Sequence, residues 1–221
     1  MLTFGGVEGK RSPPAEPRKF PHNATDTRHH EKVVSRANSD SEPAGDFQSA
    51  PRVTRVPVGD TGALTFLVPT GWEYKMKQQT VKQKNGQPLH VAHIRFRARD
   101  HYVQMTAVLT GFAGKDRKEW ARKAAQGAGS EHLAEAVETS LAVENISGAQ
   151  AIGAYFTLTD KSLVNVSTQD LESGQYKVMT QGALAVGDLS IPFTILGNDK
   201  DSALRRDILK MLSTATYKPN R

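Results

Sequence analysis

The chain has 221 residues, a net charge of +6 and no cysteine, which excludes disulfides, thiolate metal sites and cysteine nucleophiles. Hydrophobic residues make up 38%, low for a chain that is globular throughout, so part of it is expected to pack no core. No apolar run approaches the roughly 18–20 residues that span a bilayer, and no transmembrane segment is expected.

Residues 1–52 are expected to be a disordered tail or linker. Stretches such as "KRSPPAEPRKFPHNATDTRHHEK" and "SRANSDSEPAGDFQSAP" are rich in Pro, Ser, Asn, Asp and charge, without a hydrophobic period. Their apolar area is too small to offset the entropy lost on ordering. His22, Asp26, His29, His30 and Glu31 are zinc-donor types, but adjacent histidines in such a segment offer no preset geometry, and no metal is expected. The first residues lack the basic start and apolar core of a secretory signal. A cytoplasmic location follows, or the periplasm or cell envelope if a signal has been removed.

One domain is expected over residues 53–221. "RVTRVPV" alternates, and "GALTFLV" reads as a strand ending at Pro69. "WEYKMKQ" reads as the next strand, with Trp72, Tyr74 and Met76 on one face. Asn85–Gly86 signals a tight hairpin turn. In the next hairpin Ala92, Ile94, Phe96 and Ala98 face inward, opposite His93, Arg95, Arg97 and Arg99. Asp100–His101 turns the chain, and Val103, Met105, Ala107 and Leu109 return on the inner face.

Asp116 is a plausible cap for a helix carrying Trp120, Ala121 and Ala124 on one stripe, stopped by Gly127 and Gly129. "SEHLAEAVE" suggests a second short helix. Strands resume at "SLAVENI" and "AIGAYFTLTD", then at "QYKVMTQGALAV" and "LSIPFTILG" across Gly187–Asp188. Leu204, Ile208, Met211 and Leu212 give the stripe of a closing amphipathic helix, capped by Asn198 or Asp199. Hairpin connections dominate and parallel crossovers are missing. The fold class is therefore α+β: a single central antiparallel sheet of about six to eight strands, flanked by two or three helices. Its expected core includes Phe66, Trp72, Tyr74, Phe96, Trp120, Tyr155, Phe193, Leu204 and Ile208.

With its opening strand ending in Pro-x-Gly-Trp, alternating hairpin and mid-chain helix, this chain resembles the PsbP/DcrB-like superfamily. The strand "AIGAYFTLTD", the hairpin "GALAVGDLSIPFTIL" and the terminal "ILKMLSTATY" complete the likeness, which covers about residues 60–218. The resemblance implies a central antiparallel sheet with helices on its faces. It also implies a non-catalytic role in binding proteins, as in lumenal photosystem subunits, envelope lipoproteins, secretion-effector chaperones and a nuclear-transport factor that binds a small GTPase. Two departures stand out: the lipobox cysteine is missing, so a lipid anchor is unsupported, and the long polar N-terminal segment is outside the pattern.

The row His93, Arg95, Arg97 and Arg99 is the leading candidate site, because guanidinium forks grip carboxylates or phosphates bidentately. Its competing reading is a solvated face, or one covered by a helix with acidic partners. "QGAGSEH" resembles a phosphate loop but follows a helix and lacks the Gly-Lys-Ser/Thr ending, so a helix stop explains it. No nucleophile-elbow sequence organises the serines, histidines and aspartates. The expectation is a monomeric, non-enzymatic domain that binds another protein, with no cofactor, no metal and no nucleic acid. Two alternatives stand beside it. One is a small-molecule binder or enzyme using a pocket between sheet and helices; the other is an anion or nucleic-acid binder through Arg95, Arg97 and Arg99.

Overall fold

The structure, a computed structural model, describes residues 51–82, 86, 88–98, 101–109, 111–112 and 115–220. Residues 1–50 with the histidine cluster, Asn85 of the expected hairpin turn, and Arg99 lie outside the described residues, and Arg52, placed in the expected tail, opens the first strand. Strands β1 (Arg52–Val58) and β2 (Gly62–Val68) form an antiparallel hairpin whose alternation buries Val56, Val58, Leu64, Phe66 and Val68. The chain then turns through Pro69 and Gly71, whose φ of 79° suits a residue without Cβ. It enters β3 (Glu73–Lys82), β4 (Pro88–Ala98) and β5 (His101–Leu109). Trp72 at this corner is 5% exposed and sits in the main core. The Val-Pro-Thr-Gly-Trp segment carries the chain from one sheet to another.

Helix α1 (Arg117–His132) follows, then β6 (Glu144–Ser147), β7 (Ala151–Thr159), β8 (Val178–Val186), β9 (Leu189–Gly197), α2 (Ala203–Ser213) and β10 (Thr216–Pro219). The larger sheet has seven antiparallel strands in the order β3-β4-β5-β9-β8-β7-β6, and the smaller runs β1-β2-β10. The α+β class with a large antiparallel sheet is as expected; the small companion sheet is an addition. It packs with α2 on one face of the large sheet, joining Phe66, Ile94, Phe96, Met105, Phe193, Ile195, Ile208 and Met211 in one cluster. On the opposite face, α1 lays Ala121 and Ala125 over Phe156, Leu158 and Met179.

Several expectations are corrected. Helix α1 runs through Gly127 and Gly129. Gly129 is buried where a Cβ would come within 2.5 Å of Leu141, so the glycine provides a close approach and not a stop. After α1 comes a single 3₁₀ turn, Leu133–Glu135, in place of a second helix. The cap of α2 is Ser202, whose Oγ accepts the Arg205 N–H at 3.1 Å; Asp199 instead bonds the Asp201 N–H one turn earlier. Asp116 caps α1 as expected, accepting from Lys118 and Glu119. His101 pairs with Ala98 inside the ladder, so it belongs to β5 and not to the expected Asp100–His101 turn; Asp100 lies outside the described residues. Tyr74 is 38% exposed and does not belong to the core, because β3 is the edge strand and overhangs the smaller sheet. Trp120 and Leu204 are half-buried at the margins of the two clusters.

Candidate functional site

Helix α1 lies over β7 and β8, while β3, β4 and β5 on the same face carry mostly polar side chains. Antiparallel register sets those side chains in rows. Lys75 stands opposite Arg95, which stands opposite Gln104; Lys77 stands opposite His93, which stands opposite Thr106; and Glu73 stands opposite Arg97. Lys75, Lys77, Arg95, Arg97 and Gln104 are exposed, and His93 is half-buried. Lys75, Lys77, Arg95 and Arg97 therefore form a staggered block, in which Lys75 and Arg95 are directly opposed while Lys77 faces His93 and Arg97 faces Glu73. Its spacing is about 7 Å along the strands and about 5 Å between them.

Glu73 stands across the ladder from Arg97, but no ion pair forms between them. Among the described residues, no carboxylate lies within 4 Å of any of these four cations; the ion pairs that do form are His90–Asp60, Arg117–Asp188 and Lys123–Glu119. Like charges directly across a ladder destabilise it, so the Lys75–Arg95 pair leaves a demand for an anion. His93 is held at its Nδ1 by the Thr106 hydroxyl at 3.3 Å, which fixes the ring beside the block. A groove of about 450 Å³ runs over Lys75, Lys77 and Arg95 and is lined also by Met76, Gln79, His93 and Gln104, while Arg97 lines a separate hollow with Glu73. The structure thus brings together three of the four residues of the expected row and adds two lysines that strand β4 alone does not announce.

No protein-family model, curated protein or solved structure matches the chain.

Other polar constellations have structural occupations. His101, 3% exposed, lies with Nε2 2.7 Å from the Ser202 hydroxyl, a pairing across 101 positions that sequence spacing does not signal. The geometry resembles a nucleophile and its base. Ser202 is nevertheless committed to capping α2, and the His101 ring packs where a Cβ on Gly197 would come within 2.7 Å. Among the described residues, no group of three or more His, Asp or Glu side chains is placed to hold a metal ion. No described helix is long and apolar enough to cross a membrane.

A second network ties α2 to the sheet. Arg205 donates to Thr180 (2.9 Å), Thr157 (2.8 Å) and the Lys200 carbonyl (2.8 Å), and lies 5.8 Å from the centre of the Tyr155 ring. The Tyr155 hydroxyl donates to Glu144 at 2.8 Å. Burial, then the hydrogen bond to Glu144 and its charge, push the Tyr155 phenol up to about 12, against a smaller opposing pull from Arg205. The raised value belongs to the acid whose neutral form the fold prefers. Its stabilisation is complete below pH ~10, the ordinary tyrosine value, and is lost as pH rises towards about 12. The difference in phenolate absorbance between wild type and Tyr155→Phe should therefore titrate near 12; a midpoint near 10 would contradict the network.

Proposed function

We propose that this chain is a non-enzymatic binding domain of PsbP/DcrB-like type, whose basic half-face docks an acidic segment of another protein. One observation carries the reading: four cations, Lys75, Lys77, Arg95 and Arg97, share one block of the sheet with no carboxylate within 4 Å among the described residues. Exposed ion pairs are individually weak, so a docking surface of this kind gains from several charges acting together and from steering during encounter. The family reading rests on sequence likeness, and an antiparallel sheet with helices against its faces agrees with it.

A protein carboxylate suits the block better than a nucleic acid does. Single-stranded nucleic acids are held along extended basic tracks with aromatic platforms for the bases. This block is compact, and the aromatic neighbour on the same face is the half-buried Tyr102. The test is a low-salt titration with a capped glutamate-rich peptide and with a single-stranded oligonucleotide of equal charge. The peptide is expected to bind more tightly, with affinity falling as salt rises. Tighter binding of the oligonucleotide, or binding of neither, would overturn the reading.

A further inference from the structure

The seven-stranded sheet ends at β3, and β3 is an unusual edge. It pairs with β4 through ten consecutive registers, Glu73↔Arg97 to Lys82↔Pro88, with no bulge and no proline within it. All ten residues are exposed, and among the described residues no strand pairs with its outer side. In an antiparallel pair, alternate residues direct their N–H and C=O groups away from the partner. The outer side of β3 therefore offers a long, regular row of unpaired backbone groups, the template for strand addition.

Side chains on the two faces of this edge differ in character. Lys75 and Lys77 point to the basic half-face, with Arg95 and His93 behind them on β4. Tyr74 and Met76, at 38% and 37% exposure, point to the other face, where the Arg52 guanidinium lies 5.6 Å from the Tyr74 ring centre. Of the seven large hydrophobic side chains exposed among the described residues, three (Tyr74, Met76 and Val81) belong to β3. This concentration on one strand marks it out from a merely solvated edge.

We infer that β3 accepts an extended segment of the partner protein as an eighth strand, in which acidic residues alternate with apolar ones. The acidic side chains of that segment face Lys75 and Lys77, and the apolar ones cover Tyr74 and Met76. Main-chain hydrogen bonds supply affinity, and the alternating faces supply selection. The inference rests on the proposed docking of an acidic partner and adds how it docks. Lysines on an edge are also a common guard against unwanted pairing. Here they exclude a second copy: two β3 strands pairing along their full length about a two-fold axis would bring both basic faces onto the same side. The same lysines admit an acidic strand.

The test uses the full chain and three capped peptides long enough to span β3. One has alternating Glu and Val; the other two have the same sequence, N-methylated on alternate amides in the two possible phases. All three carry the same charge. The unmethylated peptide should bind, one methylated form should bind at least about tenfold more weakly because its methyls block the ladder, and the other should bind almost unchanged. Amide exchange should slow at alternate positions of Glu73–Lys82 in the bound chain. Equal binding of all three peptides, lost in Arg95→Glu/Arg97→Glu, would overturn strand addition while leaving the basic-face reading intact. Binding of none at low salt would overturn both. Self-association of the chain through β3, detected as concentration-dependent protection of the same amides without peptide, would also overturn the inference.

Discussion

Reversing three charges together, Lys77→Glu, Arg95→Glu and Arg97→Glu, is expected to weaken binding of an acidic segment by about 100- to 1,000-fold at low salt. A single exposed ion pair is worth up to about 1 kcal/mol, and reversal replaces attraction by repulsion of similar size. At a typical value of about 0.5–0.7 kcal/mol per pair, three reversals amount to about 3–4 kcal/mol, with each 1.4 kcal/mol a factor of ten. One altered residue, Arg95, stands opposite a like charge, Lys75, in the wild type, and another, Arg97, stands opposite Glu73. Thermal stability should change little in the variant, since Arg95→Glu gives Lys75 an opposite charge across the ladder while Arg97→Glu sets a like charge opposite Glu73. The control variant Lys118→Glu/Arg122→Glu, on α1, should bind as the wild type does. Loss of affinity in the control alone, or less than about threefold loss in the triple variant, would move the docking surface elsewhere.

Phe96→Ala is expected to destabilise the domain by about 3–5 kcal/mol, the usual cost of emptying a buried aromatic site. Phe96 is fully buried and stands at the seam of the two sheets. Its ring meets Phe66 of β2 edge-on, with centroids 6.2 Å apart and planes at 83°, and meets Tyr74 of β3 at 6.1 Å. Deleting it removes contacts on both sides of the core and leaves a cavity that rigid strands collapse only partly. A natural domain has roughly 5–15 kcal/mol in total, so this one change should be visible as a large drop in the urea midpoint. Tyr74→Ala should cost clearly less than Phe96→Ala, because Tyr74 is 38% exposed at the sheet edge where Phe96 is fully buried. Comparable losses for the two variants would contradict the placement of β3 at the edge.

These two strands also show what was legible in the sequence. Alternation in β4 separates Ala92, Ile94, Phe96 and Ala98 from His93, Arg95 and Arg97, because a strand with one buried face writes its period into its residues. The stripe Leu204, Ile208, Met211 and Leu212 likewise places α2 against the core. What local pattern did not reveal depends on distant partners. β10 is four residues long and includes a lysine and a proline; it is a strand because β2, about 150 positions earlier, has a free side to pair with. Gly127 and Gly129 look like stops until Leu141 is found filling the space beside the second.

The site divides in the same way. A row of basic residues on β4 was readable, but its enlargement by Lys75 and Lys77 needs the β3–β4 register, and its exposure needs the sheet order that places α1 over β7 and β8. Tyr74 was misassigned because alternation gives the face of a side chain and not its distance from the sheet edge. Its neighbour Trp72, on the same parity, is buried because it sits at the corner between the two sheets.

The central claim is that an acidic segment lands on the uncovered basic half of the large sheet. Amide shift mapping of the full chain, titrated with the capped Glu-Val peptide at low salt, tests this directly. The largest perturbations should cluster at Lys75, Lys77, His93, Arg95 and Gln104, which are among the residues that line the groove. Perturbations centred instead on α1 and β6, or on the groove between β2 and α2 lined by Leu67, Pro69, Asp207 and Met211, would contradict it.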